Sequence, residues 1–511
     1  MNTSATAAPA GSATRRWAAV AVLSASLLVI TMDMTILNIA IPDMAADLRP
    51  ASDQLLWIVD SYSLVLAGLL VTMSSIGDRW GRKRLLLTGY AVFGGASVLV
   101  LFAHSPEAVI AVRALLGVGG AMIMPTTLSM IRTVFTDPAE RATALGIWAA
   151  VSGVGAAVGP IVGGLLLEFF SWRAAFLVNA PLMAIAFVAG ALILPEARHP
   201  NPGRWDLVGA GLSLAGMVGL VWSFKHFAKQ ETLADADGWI VLLTALALLT
   251  LFVLRCLRRP DPLLDVRLFS SRPFTAAVVA ALGATFALGA ALLLLAQWMQ
   301  LVEGASPIRT GVLLLPVAAA ATVASVLAPL LARAIGARSV LAGGLAVAGV
   351  GMLALFVPSS PVYGHVLVAL CLVGAGMGSL AIGSAMIMSG SPQEKAGSAA
   401  AIEETAYDLG SVLGVATLGS AAAVLYRSRL DADHLLDSLD PALADAARES
   451  LGSAIAVADQ LGLPLLASEA SAAFTESMQV TSLIGGLVML AAAAVVFVTT
   501  PKGTDITRQS H

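Results

Sequence analysis

Six charged side chains lie in stretches otherwise apolar enough to be hidden from water: Asp33, Asp60, Arg113, Glu403, Glu404 and Asp408. A charge near the centre of a membrane-spanning helix costs roughly 2.5–3.5 kcal/mol on insertion scales, so each of them needs a use. No metal motif accompanies them. His104, His199, His226, His365, His434 and His511 form no ligand cluster, and Cys256 and Cys371 stand in separate apolar segments, as packing residues would. Carboxylates kept in oil without a metal can take up and release protons, or can hold a cation. Either use implies transport across a membrane.

The early charges come at matching depths. Asp33 follows Trp17 by sixteen residues, which at 1.5 Å per residue puts it ~24 Å along the helix. That is within ~10 Å of the far edge of a ~30 Å hydrocarbon layer. Asp60 and Arg113 each follow the outer start of their own helix by about one and a half turns. Two carboxylates and one guanidinium at one level can pair, and burial disfavours whichever carboxylate is left charged and alone. A structural ion pair accounts for one of these aspartates with Arg113, not for both. A proton arriving there would release a hold on Arg113 or on a cationic substrate.

In the run Ala401-Ile402-Glu403-Glu404-Thr405-Ala406-Tyr407-Asp408, Glu404 and Asp408 share one helix face and Glu403 and Tyr407 another. Glu404 and Asp408 are expected at the cavity, with Glu403 turned to a neighbour. If this helix begins lower in the membrane, both glutamates are interfacial instead.

The elements that must position these groups follow from composition. Of 511 residues, 58% are hydrophobic and 12% charged, with a mean hydropathy of +0.87. An ordinary soluble chain carries ~25% charged residues, so the membrane class follows. Runs of ~20 apolar residues, the length of a spanning helix, occur near 17–41, 55–76, 85–103, 107–130, 142–167, 173–194, 206–225, 239–257, 274–299, 309–332, 339–357, 362–388, 398–425 and 479–499. Fourteen spans place both termini on one side. Of the 29 Lys and Arg, twenty then fall on the side of the termini and eight on the other, with Arg113 set apart. The positive-inside rule makes the first side the cytoplasm. The first run is longer than the ~7–15-residue core of a cleaved signal peptide, so it is expected to be retained.

Two sequence echoes suggest duplication. Gly77-Asp78-Arg79-Trp80-Gly81-Arg82-Lys83-Arg84 returns, worn, as Ala332-Arg333-Ala334-Ile335-Gly336-Ala337-Arg338-Ser339, and Asp137-Pro138-Ala139-Glu140-Arg141-Ala142 as Ser391-Pro392-Gln393-Glu394-Lys395-Ala396. Both copies come about 255 residues later, as duplicated six-helix halves would give. The expected organisation is therefore a disordered tail over 1–16, a half over 17–194, two inserted helices within 195–272, a half over 273–499 and a tail over 500–511. Within the second half, 426–478 carries nine acidic residues against three basic. Asp440-Pro441 opens a helix there, suggesting an external helical hairpin.

Two further motifs bear on movement. Gly155, Gly159 and Gly163 recur every four residues, a smooth stripe for close helix approach; Gly164 follows, and Pro160 favours a bend. In the charged turn of Gly77, Asp78, Arg79, Gly81 and Arg82, topology explains the bases but not Asp78. An acid there can meet a helix N-terminus or a basic partner and latch one conformation.

Taken together these residues resemble the major facilitator superfamily, in particular its fourteen-helix drug:proton antiporter branch, over essentially the whole chain. The Gly77–Arg84 loop is similar to the signature after the second helix. Arg113 with Gly117, Gly120 and Pro125 resembles the fourth-helix motif, whose arginine is implicated in proton coupling. The run Gly155 to Gly164 resembles the fifth-helix motif of antiporters. Met32-Asp33-Met34-Thr35-Ile36-Leu37-Asn38 with Ile41-Pro42 resembles the first-helix motif of the branch. Trp57-Ile58-Val59-Asp60 with Tyr62, and Glu403-Glu404 through Asp408, look like its quaternary-ammonium and dye exporters. The departure is the tenth helix: Leu313 to Leu331 has no acid, which disfavours dicationic substrates.

The resemblance implies an all-α major facilitator fold in a bacterial plasma membrane, working as a monomer with a small amphipathic substrate, protons and the bilayer as partners. No cofactor, metal or nucleic acid is expected; the proton gradient drives transport. Asn38, Trp57, Trp148, Trp298 and Tyr407 are candidates for an apolar and cation–π substrate surface. Export of one endogenous metabolite or antibiotic, or import of a nutrient by the same fold, are the alternatives. A membrane enzyme is disfavoured, because the sequence has no His-Glu-x-x-His, no Gly-x-Ser-x-Gly and no phosphate loop.

Overall fold

With no water to satisfy backbone polar groups, a chain crossing oil must close its hydrogen bonds within each segment. The chain does so as helices. A computed structural model describes residues 13–48, 50, 52–197, 206–230, 235–357, 361–392, 395–432, 436 and 439–501, and among these there is no strand. The first helix begins at Ala13, inside the tail expected to be disordered over 1–16; residues 1–12 and, of the tail expected over 500–511, residues 502–511 lie outside the described residues, as do the side chains of Asn38, Asp60 and Pro160.

The helices are α1 (Ala13–Leu48), α2 (Ser52–Trp80), α3 (Arg82–Leu99), α4 (Pro106–Val134), α5 (Pro138–Phe169), α6 (Ala174–Leu177), α7 (Asn179–Ile193), α8 (Leu207–Gln230), α9 (Ala236–Arg258), α10 (Arg272–Gln297), α11 (Pro307–Ile335), α12 (Ala337–Leu353), α13 (Tyr363–Met377), α14 (Leu380–Ser389), α15 (Ala396–Ala432), α16 (Pro441–Glu449), α17 (Leu451–Leu461) and α18 (Pro464–Thr499).

Several starts share one signal, a Ser or Asp cap followed by proline at the first helical position. Ser105 caps α4, Asp137 caps α5, Ser306 caps α11, and Asp440 caps α16 by accepting from the N–H of Ala442 at 3.0 Å. The helix expected from Asp440-Pro441 thus begins at the expected residue. The helices flanking that segment are longer than expected, because α15 and α18 continue as Ala- and Leu-rich helix past the apolar runs that announced them. The run 362–388 divides into α13 and α14 at Gly378 and Ser379, where the bonding tightens to three-residue spacing. Its glycines are needed there: a Cβ on Gly374 or Gly378 would collide with the α11 backbone.

Twelve of these helices are long and apolar enough to cross a membrane among the described residues. The two expected spans outside that set fall on α5 and on α12, which has 17 residues.

The helices pack as two sets. One joins α1 to α5 and α7, α4 to α2 and α3, and α3 to α7; the other joins α10 to α15 and α18, α12 to α13 and α18, and α11 to α13. Between the sets α5 meets α11 and α14, while α15 meets α2 and α4. Helix α8 lies on both α2 and α15, across that seam, and carries α9. One end of the bundle gathers the bases: Arg16 pairs with Glu140, Arg84 with Glu196 and Lys395 with Asp265.

Candidate functional site

In the first set Asp33 is fully buried and its carboxylate is shared. Arg113 of α4 donates to Oδ2 at 3.0 Å, and Asn179 of α7 donates to Oδ1 at 2.6 Å. The Arg113 Nε–H donates to the carbonyl of Ile58 at 3.1 Å, and the guanidinium stands 4.6 Å from the Tyr62 ring centroid. The expected pairing of one aspartate with Arg113 is therefore present, and Asp33 is that aspartate. Asp60 lies two residues from Ile58 on α2, with its side chain outside the described residues. Asn179 was missed by the sequence reading. It could have been noticed as an amide inside an apolar run, since intramembrane polar groups usually have partners.

The second set holds Glu403, Glu404 and Asp408 on α15. Glu403 accepts from the hydroxyls of Ser384 on α14 and, at 2.6 Å, of Tyr407. Glu404 is equally buried, but among the described residues neither of its carboxyl oxygens has a hydrogen-bond partner, nor does Oδ2 of Asp408. Both glutamates are two turns inside α15, so they are not at its end.

Helical register explains the difference. Gly397 lies against Asp78 of α2, and Val412 packs against the cluster of Leu64 and Ala67 of α2 with Val221 of α8. Glu404 and Asp408 fall on the stripe between those contacts, toward the first set. Gly410 and Gly414 lie against α10, so Glu403 and Tyr407 look inward among their own helices. An unpartnered buried carboxylate is costly unless it is protonated or finds a cation. That is the chemistry the stripe can do.

Close approach of α5 to α1 depends on bare glycine. A Cβ on Gly155 would stand 2.7 Å from the Leu28 carbonyl oxygen, and one on Gly159 2.8 Å from that of Met32. Gly163 and Gly164 are buried along the same helix, and Pro160 occupies its interior.

At the basic end, Asp78 accepts from the Arg82 guanidinium at 2.8 Å. Any side chain at Gly397, the second residue of α15, would displace the Asp78 carboxylate. The Ser74 hydroxyl donates to the Gly397 carbonyl at 2.6 Å. Arg82 also reaches Thr133 of α4 at 3.2 Å, and Arg79 donates to the Ser75 carbonyl at 3.0 Å. Gly81 has φ +116, which disfavours any side chain, and a Cβ there would meet the Glu196 carboxylate; Gly77 presses on Leu85. A second tie, with no local signal in the chain, joins the sets at this end: Arg132 of α4 donates to the Ser391 hydroxyl at 2.6 Å and also to its carbonyl.

The aromatic candidates separate. Trp148 and Trp298 are spent on packing rather than on a cleft, donating to Thr127 at 3.1 Å and Thr475 at 3.2 Å. Trp57 is 47% exposed at the start of α2, and Tyr407 is held by Glu403. Asn38 has no described side chain. Among the described residues no group of His, Cys, Asp or Glu could hold a metal.

Comparison with known proteins agrees with this architecture. The family model described as Major Facilitator Superfamily matches residues 23–415. The multidrug efflux pump LfrA of Mycolicibacterium smegmatis is 41% identical over 490 residues, covering 94% of this chain and 96% of that protein. The methyl viologen resistance protein SmvA of Salmonella typhimurium is 36% identical, covering 88% and 90%. The solved structure of the human organic anion transporter MFSD10 matches with a TM-score of 0.62 at 12% identity, covering 93% of this chain and 99% of that one, a likeness of fold. The chain belongs to the Major Facilitator Superfamily, and it is a membrane transporter rather than an enzyme.

Proposed function

We propose that this chain is a proton-coupled antiporter that exports lipophilic cations and related amphipathic drugs by alternating access. The observation that carries the reading is Glu404, with both carboxyl oxygens buried and, among the described residues, unpartnered one turn from Asp408, on the α15 stripe that faces α2. Ionised, this pair attracts a cation with apolar flanks; protonated, it has no reason to keep one. Proton uptake and substrate binding therefore exclude each other. The efflux and resistance names of the relatives support an exporter of drugs. The absence of an acid between Leu313 and Leu331 favours monovalent over divalent cations.

In this reading α5 and α12 complete fourteen spans, the basic end faces the cytoplasm with both termini, and the chain acts as a monomer in the bacterial plasma membrane. The two sets are the halves over 17–194 and 273–499, with α8 and α9 inserted between them. Asp78 and Arg132 hold the cytoplasmic end shut, and releasing them opens it. The Asp33–Arg113 pair is the second site of coupling, and the energy comes from the proton gradient without a cofactor.

The test is efflux of a fluorescent lipophilic cation from cells, with and without an uncoupler. Efflux should stop when the gradient collapses, and Glu404→Gln should stop it with the gradient intact. Continued efflux under the uncoupler would refute the coupling.

A further inference from the structure

Tyr62 lies beside the Asp33–Arg113 pair, on a helix against which α15 packs, and among the described residues neither group of charges uses its hydroxyl. The residue is 1% exposed, its ring lies under the Arg113 guanidinium at 4.6 Å, and it meets Phe93 edge-on at 6.5 Å. The hydroxyl has no hydrogen-bond partner among the described residues. Helix α4 is cut back around it. A Cβ on Gly120 would stand 3.1 Å from the Tyr62 hydroxyl oxygen, and one on Gly117 2.6 Å from its carbonyl oxygen.

The charged groups that bear on this phenol are Asp33 from α1, Arg113 from α4 and Asp408 from α15; α3 and α8, which also pack on α2, contribute none among the described residues. A buried donor with no acceptor, kept in place by two glycines, needs an acceptor in some state of the protein. Asp408 has an unpartnered oxygen and belongs to the opposite set of helices.

We propose that Tyr62 is the positioning residue that makes the Asp33–Arg113 pair sense the protonation of Asp408. When Asp408 is ionised, the phenol O–H donates to it; when Asp408 carries its proton, that bond weakens and the ring shifts beneath Arg113. The guanidinium rests on that ring while it holds Asp33, so its grip on Asp33 changes with the ring. The proton stays on carboxylates throughout; the phenol keeps its own. The inference rests on the antiport reading above.

The experiment uses the full chain in vesicles of phosphatidylcholine and phosphatidylglycerol, with tetraphenylphosphonium as probe. Tyr62→Phe removes one oxygen and keeps the ring. Its substrate counterflow, which needs no net proton movement, should stay within about twofold of wild type, while gradient-driven transport falls about tenfold or more, the weight of one buried hydrogen bond. The pH profile of driven transport should flatten. Gly120→Ala, which crowds the hydroxyl, should lower driven transport and spare counterflow. Wild-type driven transport in Tyr62→Phe overturns the proposal, as does equal loss of counterflow or an unaffected Gly120→Ala. Failure of the antiport reading would be distinct: wild type itself would then show counterflow but no response to a proton gradient.

Discussion

Replacing Asp78 by asparagine should loosen the basic end of the bundle by an amount the contacts allow to be worked out. Asp78 makes two kinds of contact. Its ion pair with Arg82 at 2.8 Å lies within one set of helices, so it persists whichever way the sets rock and does not bias their equilibrium. Its contact with Gly397 crosses to the first turn of α15 and exists only while this end is shut. A carboxylate at a helix N-terminus contributes about 0.3–1 kcal/mol, up to ~2 when partly buried. Taking about 1 kcal/mol, asparagine, which keeps the shape and loses the charge, should raise the open population about fivefold. The assay is the rate at which a maleimide modifies Ala400→Cys, a fully buried position on α15, in a background lacking Cys256 and Cys371. About fivefold faster modification is expected, and Ser74→Ala should add a similar step by removing its bond to the Gly397 carbonyl. An unchanged rate in a normally folded Asp78→Asn protein would refute the latch.

Three further outcomes are expected. Asp33→Asn leaves Arg113 buried without its counter-ion, a loss of about 3–5 kcal/mol; thermal unfolding in detergent should show it, and adding Arg113→Gln should restore part of the stability but not efflux. Gly159→Ala forces a methyl against the Met32 carbonyl on α1, and overpacking of this kind costs about 1–3 kcal/mol, read as a lower unfolding midpoint and slower transport. Asp206, outside the spans at the start of α8, tests pH dependence. Burial pushes its carboxyl up, but the Arg255 hydrogen bond, the Gly209 N–H and the charges of Arg255 and Arg259 outweigh burial and hold it below the usual 3.8. A lowered folded value means stability that is present above the unfolded pKa and lost as pH falls through the folded one. Asp206→Asn should therefore destabilise the protein at pH 7, with the difference from wild type shrinking below pH ~3.8. An equal difference at both pH values would contradict this.

Much of this was legible from the chain because oil imposes a simple rule. Apolar runs located the helices, and intramembrane charge located Asp33, Arg113, Glu404 and Asp408. That Asp78 would meet a helix N-terminus or a basic partner could be argued from charge type alone; it lies against both, Gly397 at the start of α15 and the Arg82 guanidinium. Helix ends were less legible: α15 and α18 extend beyond the apolar runs of the sequence on helix propensity, which hydropathy does not register, and α13 breaks where glycines meet α11. The pairings made by distant small polar residues were not legible. Ser384, Ser391 and Asn179 lie 19, 259 and 146 residues from the groups they bond, and a polar residue in an apolar run announces that it has a partner but not which one. The register that turns Glu404 and Asp408 toward α2 and Glu403 toward Ser384 was half-visible: spacing gave the pairs, and only packing gave their directions.

The most direct measurement is proton movement driven by substrate. Purified protein in vesicles with a trapped pH dye should export protons from the lumen as tetraphenylphosphonium enters, and Glu404→Gln and Asp408→Asn vesicles should not. Entry of the cation into wild-type vesicles with no change in lumenal pH would contradict the exchange of proton for substrate at these carboxylates.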